Sequence, residues 1–223
     1  METIAFSDFK KNATLYKRAS LLAVITILYN IAEGIISVSF GLEDETLALF
    51  GFGLDSFVEV ISGVGIWHMI VRIRNSQSSA SPDHFEQRAL RITGSAFYLL
   101  TAGLVVVAAI NLLQGHRPET TFWGIVISSV SIMTMWLLIR YKLQVGKALG
   151  SDAIIADANC TRTCMYLSFL LLISSLGYEV TGIGSLDSIG SIGIAWFAFR
   201  EGREAFRKAA GKMGCSCQGS CSS

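Results

Sequence analysis

Asp55-Ser56-Phe57-Val58-Glu59 and Cys160-Thr161-Arg162-Thr163-Cys164 each set two potential metal ligands four residues apart. On a helix that spacing puts both members of a pair on one face. Both stretches lie inside long apolar segments, where ionisable side chains are expensive and mark function by default. The fold therefore turns on what the flanking sequence is.

Reading outward from them gives six segments long enough to cross a bilayer, which needs about 20 mostly apolar residues. They are 18–42, 47–71, 89–113, 121–139, 153–178 and 183–199. The fifth is interrupted by Asp157 and Arg162, which is tolerable where a polar position faces neighbouring helices instead of lipid. With 223 residues, 52% of them hydrophobic and only two proline, the chain is too apolar for an ordinary soluble domain of its size. The first apolar run has no small-residue cleavage pattern close behind it, so it reads as a retained span and not as a signal peptide.

Net charge is +1, which gives no reason to expect a nucleic-acid partner; the distribution of charge says more. Lys10, Lys11, Lys17 and Arg18 precede the first span. Arg72, Arg74, Arg88 and Arg91 cluster between the second and third. Arg140, Lys142 and Lys147 fall between the fourth and fifth, and Arg200, Arg203, Arg207, Lys208 and Lys212 follow the sixth. The alternate connections hold only Arg117, with Glu43, Asp44, Glu45, Glu119, Glu179 and Asp187 in or beside them. By the positive-inside rule both termini face the cytoplasm. The expected fold is an all-α membrane protein of six transmembrane helices. Residues 1–17 form a cytoplasmic N-terminal segment, 18–205 a six-helix transmembrane domain and 206–223 a cytoplasmic cysteine-containing tail. The polar stretch 75–83 is a cytoplasmic loop, with Ser81-Pro82-Asp83 starting the next helix.

Depth joins the two stretches. Asp55 and Glu59 lie roughly 12–18 Å from the outer end of their helix, and Cys160 and Cys164 roughly 10–17 Å from the inner end of theirs. In a core about 30 Å thick both pairs sit near the midplane. Two carboxylates and two thiols can complete a four-coordinate shell suited to zinc or its heavier relatives. The plainer alternatives are a solvated acid pair and two cysteines packed as small hydrophobes. A disulfide within the cysteine pair is disfavoured, since Cβ atoms at i and i+4 are about 5–6 Å apart and a disulfide wants about 3.8 Å.

The residues Asn30-Ile-Ala-Glu33-Gly34, Ala48-Leu-Phe-Gly-Phe-Gly-Leu-Asp55-Ser-Phe-Val-Glu59 and Ala153-Ile-Ile-Ala-Asp157 through Cys164 resemble the cation diffusion facilitator family. Its members are six-span transporters that exchange zinc or related divalent cations for protons. They carry a D-x-x-x-D-type pair in helix 2 and an H-x-x-x-D or D-x-x-x-D pair in helix 5. The resemblance implies that Asp55, Glu59, Cys160 and Cys164 form one transport site, open alternately to each side. Cysteine at both helix-5 positions departs from the family pattern and moves the expected cargo toward softer ions. The family's cytoplasmic C-terminal domain is expected to be absent, so any homodimer would rest on the membrane helices.

Exchange has a chemical basis apart from the family. A free thiol has an ordinary pKa of about 8.5 and is protonated at neutral pH. Metal binds the thiolate, so loading Cys160 and Cys164 releases up to two protons. Among secondary features, Asn30 and Glu33 are possible pathway residues, Glu33 being alternatively a partner for Arg162. Asp157 either guides cations or pairs with a basic loop residue. Cys215, Cys217 and Cys221 are three thiols in the last nine residues that either capture a soft metal or belong to an unstructured tail. Glu43-Asp44-Glu45 reads as a solvated turn.

The expected function is proton-coupled export of a divalent, soft cation of the zinc or cadmium class across the cell membrane. No catalytic residue and no resident cofactor are expected. The alternatives are a membrane thiol oxidoreductase, which leaves Asp55 and Glu59 without a role, and a metal sensor that does not transport.

Overall fold

A computed structural model describes residues 2–44, 46–76, 84–114 and 121–210. They form six helices: α1 Glu2–Glu43, α2 Leu47–Ser76, α3 His84–Gln114, α4 Phe122–Leu149, α5 Asp152–Thr181 and α6 Ser185–Ala209. No strand occurs among the described residues. Five helices are long and apolar enough to cross a membrane, over Thr14–Glu43, Leu47–Arg72, Leu90–Leu113, Phe122–Leu149 and Asp157–Thr181. The chain is thus an all-α, multi-pass membrane protein. The sixth helix has the expected position, but its basic second half lowers its mean hydropathy below that of the other five.

The largest side chains on the outside are apolar. Leu28, Leu99, Leu113, Ile173 and Val180 are more than half exposed, as a lipid-facing surface requires. Inside, α1 packs most extensively on α2, α4 on α5, and α3 on α6. One apolar core joins α2, α3, α5 and α6 through Phe52, Leu104, Leu171 and Ile194. A second joins α1, α2, α4 and α5 through Ala19, Ala23, Ile70, Val145 and Ile154. Between these cores lies a polar layer where α1, α2, α4 and α5 converge.

Close approach of α1 to α2 depends on Gly53. A Cβ there would stand 2.7 Å from the backbone nitrogen of Val38, a distance no real side chain tolerates.

Helix 4 ends ten residues later than hydropathy implies, at Leu149 instead of residue 139. Arg140, Lys142 and Lys147 are therefore helical residues and not a loop. The true stop is Gly150, left-handed at φ 60°. Ser151 N donates back to Gly146 O at 3.0 Å, which closes the helix end with a residue that suffers no Cβ penalty. Charge alone did not end the helix, because Lys142 finds a buried partner on α5.

The outer acids do more than mark sidedness. Asp187 on α6 accepts from Leu47 N at 2.9 Å and Ala48 N at 3.2 Å. Glu179 on α5 accepts from Thr121 N at 2.7 Å. Each carboxylate satisfies amides at the start of another helix, where the helix dipole favours negative charge. Asp44 is buried, so the expected solvated turn at 43–45 is corrected at that residue; Glu45 lies outside the described residues.

Candidate metal site

Helix 2 carries Asp55 and Glu59 on one face, one turn apart. Glu59 has twelve residues before it and thirteen after it in the span Leu47–Arg72, so it is central. Helix 5 brings Cys164 to it. The Cys164 thiol donates a hydrogen bond to Glu59 Oε1. Helix 1 brings Asn30, whose Nδ2 donates to Glu59 Oε2 at 3.1 Å. Both oxygens of Glu59 thus carry a donor. Asp55 is buried, and its Oδ1 has no hydrogen-bond partner.

The apolar wall behind the thiol is Met135 and Leu138 of α4, with Tyr29 and Leu22 of α1 packed against it. Neither Cys160 nor Cys164 is in a disulfide. Cys164 is buried and Cys160 half-buried, one turn nearer the start of α5. Hydrophobic surroundings on one side and polar groups on the other make a site in which a charge is felt at low dielectric.

The depth argument joined the two pairs, and one member of each does meet. The full four-residue shell is not assembled in this conformation. Among the described residues, no three His, Cys, Asp or Glu side chains lie close enough to hold a metal ion as they stand.

Around this pair runs a network of hydroxyls. Glu33 is buried and accepts from Tyr29 Oη at 2.9 Å and Ser56 Oγ at 3.1 Å. Its recorded partners are hydroxyls, so the pairing of Glu33 with Arg162 is corrected. Ser168 donates to Cys164 O at 3.0 Å and shares a hydrogen bond with Ser131 Oγ at 2.8 Å. The polar layer therefore links all four helices. Tyr29, Ser56 and Ser131 escaped the sequence reading, because hydroxyls inside membrane helices are common and carry no charge to flag them. Tyr29 and Ser56 had one available signal, their helical spacing to Glu33 and Glu59.

Asp157 pairs with Lys142, Nζ to Oδ2 at 2.9 Å, with side chains 1% and 9% exposed. Lys142 also donates to Thr161 Oγ1 at 2.9 Å. Of the two expectations for Asp157, the structure shows the ion pair, and its partner is a helix residue instead of a loop residue. This pair lies one turn from Cys160 and pins α4 to α5.

A model of the cation efflux transmembrane domain matches residues 19–213. The chain belongs to the cation efflux family. The match covers all six helices, and it agrees with the resemblance carried by the acidic and cysteine motifs.

Similar proteins include an uncharacterized transporter of Methanocaldococcus jannaschii, 27% identical over 77% of this chain and 62% of the relative. The magnetosome protein MamB of Paramagnetospirillum magneticum is 24% identical over 74% of this chain and 56% of its own length. Transmembrane protein 163 of Xenopus laevis is 29% identical over 84% of this chain and 63% of its own length. This cation efflux chain thus spans 56% to 63% of the length of these relatives. Cys215, Cys217 and Cys221 lie outside the described residues.

Proposed function

We propose that this protein exports a divalent metal cation from the cytoplasm in exchange for protons. Asp55, Glu59, Cys160 and Cys164 are the ligands in this reading. The carrying observation is the hydrogen bond from the Cys164 thiol to Glu59 at the centre of the span. It supports a site that holds either a proton or a cation. In the proton-loaded form the thiol hydrogen bridges sulfur and carboxylate. A cation that binds Cys164 as thiolate must expel that proton, because metals bind the deprotonated sulfur. Release of the cation on the far side leaves a thiolate that takes a proton back. Two thiols give up to two protons per cation, and the acid pair shares whatever charge remains.

Mixed sulfur and oxygen ligands favour zinc or cadmium, with other soft ions such as mercury or copper(I) next. Glu33, among its hydroxyl donors, lines the outward path. Asp157, once released from Lys142, lines the approach from the cytoplasm. Cys215, Cys217 and Cys221 capture soft metal on the cytoplasmic side. The cell membrane is the proposed location, and a homodimer would form through the membrane helices. The protein acts as a carrier and not as an enzyme.

Purified protein in proteoliposomes, loaded with a cadmium- or zinc-sensitive dye and a pH dye, tests this reading. Metal entry accompanied by proton movement the other way is expected. Unchanged flux of both metals in the doubly substituted Cys160→Ser, Cys164→Ser protein would sink the site. Metal flux indifferent to the pH of the opposite compartment would sink the exchange.

A further inference from the structure

Asn30 stands on α1, three residues before Glu33, and is 2% exposed. Its Nδ2 donates to Glu59 Oε2 at 3.1 Å. The other end of the same amide, Oδ1, is buried and meets no hydrogen-bond donor. Turning the amide over would not remove this oddity. While Glu59 is ionised, as it is when it binds a cation, it only accepts, so nitrogen belongs on Glu59 and the carbonyl oxygen is the atom left over. A buried acceptor without a donor is uncommon in folded proteins.

A second orphan acceptor accompanies it. Asp55 Oδ1 is also buried without a partner, one turn before Glu59 on α2. Two unpaired oxygens from two helices are thus buried here, one on the residue that bonds Glu59 and one a helical turn before Glu59. Both have lone pairs to give, and no N–H or O–H takes them. Cations accept amide and carboxylate oxygens alike as ligands.

We propose that Asn30 Oδ1 is a direct ligand of the cation, so that three helices, α1, α2 and α5, build the shell. This rests on the transport-site reading above. The amide adds an oxygen without adding a charge. It keeps the shell from becoming purely thiolate, and so favours a divalent cation over copper(I), which prefers sulfur. Asn30 also holds Glu59 in place through Nδ2. That positioning role alone would leave the oxygen count of the bound metal unchanged, which separates it from ligation.

Cadmium(II) bound to the purified full-length protein carrying Cys215→Ser, Cys217→Ser and Cys221→Ser is the probe, with X-ray absorption counting its sulfur and oxygen neighbours. Asn30→Ala, and Asn30→Leu as a second variant closer in volume, should lose one oxygen neighbour and keep the sulfur count. Cadmium affinity should fall by more than the roughly 10–100-fold seen when an outer-shell partner of a metal site is removed. Asn30→Asp should restore the oxygen neighbour. An unchanged oxygen count in the Ala and Leu variants, or no restoration in the Asp variant, overturns the proposal. A loss of sulfur and oxygen neighbours together overturns it too, since that marks a collapsed site. Failure of the underlying reading looks different: cadmium on the parent protein with Asn30 intact would show no sulfur neighbours, or the same number after Cys160→Ser with Cys164→Ser.

Discussion

Cys164 on α5 and Glu59 on α2, 105 residues apart in the chain, share one hydrogen bond near the middle of the membrane. The thiol is the donor, so this contact exists only while the sulfur holds its proton. Its partner carboxylate is simultaneously gripped by Asn30 from α1. In the proposed exchange, proton and cation compete for this one place, which three helices share.

Substituting either member should reveal different chemistry. Glu59→Gln removes the charge but keeps the shape, and its amide cannot serve as an acceptor on both ends. Cadmium and zinc flux should both fall, by more than the roughly 10–100-fold expected for a supporting residue. Cys164→Ser keeps a small polar side chain but replaces soft sulfur by hard oxygen. It should lower cadmium transport more than zinc transport, since softer ions depend more on thiolate. Paired flux assays with the two metals check both outcomes; equal loss of both metals in Cys164→Ser would remove sulfur from the selectivity argument.

The pH dependence follows from the same bond. Each thiol that loses its proton on metal binding makes the apparent affinity rise with pH. The rise continues until the pH passes the thiol's own pKa in the metal-free protein. With two thiols the limit is about a hundredfold per pH unit, and with one it is about tenfold. Equilibrium cadmium binding between pH 6 and pH 8 should therefore strengthen steadily. Cys160→Ser should lower the slope by one proton. A flat profile would mean that neither thiol exchanges its proton for the metal.

The helices themselves were legible in hydropathy, and depth with i, i+4 spacing brought one member of each motif, Glu59 and Cys164, together. Asp55, Glu59, Cys160 and Cys164 stand out as polar positions in apolar runs. What spacing could not show is which atoms touch. Glu59 meets Cys164 and Asn30, whereas Asp55 Oδ1 is left without a partner. Asn30 looked like a pathway residue since it is uncharged and lies on a different helix. The end of α4 was misplaced for an instructive reason. A hydropathy window treats Lys142 as a reason to leave the membrane, yet Asp157 waits on α5 to neutralise it. Long-range partners are invisible to a local reading.

That ion pair yields a stability prediction. Lys142 is almost fully buried and Asp157 nearly so. Removing one partner strands the other charge, which in buried pairs costs about 3–5 kcal/mol. Lys142→Met alone, or Asp157→Leu alone, should lower the thermal midpoint of the detergent-solubilised protein markedly. The double substitution should recover most of the loss, since apolar replacements of a buried pair are often neutral. If the single variants match wild type, the two charges are solvated in the membrane-embedded protein and the pair does not pin α4 to α5.

Gly53 offers a test that touches no ligand. It lies on α2 two residues before Asp55, where α1 crosses at backbone contact. A Cβ at Gly53 would sit 2.7 Å from Val38 N and 2.9 Å from Ser37 Cβ. Backbone atoms cannot swing aside as a side-chain end can, so Gly53→Ala must push α1 away from α2. Among the bonds that cross this interface are Asn30 to Glu59 and Ser56 to Glu33. Separation by even a few tenths of an ångström lengthens both, and the overpacking itself costs about 1–3 kcal/mol. Metal flux should fall together with cadmium affinity, although Asp55, Glu59, Cys160 and Cys164 are all intact. Gly103 on α3 is the control, because a Cβ there meets nothing within 4 Å. Gly103→Ala should leave both flux and affinity at the wild-type level. Equal behaviour of the two alanine variants would show that close α1–α2 packing does not hold the site together.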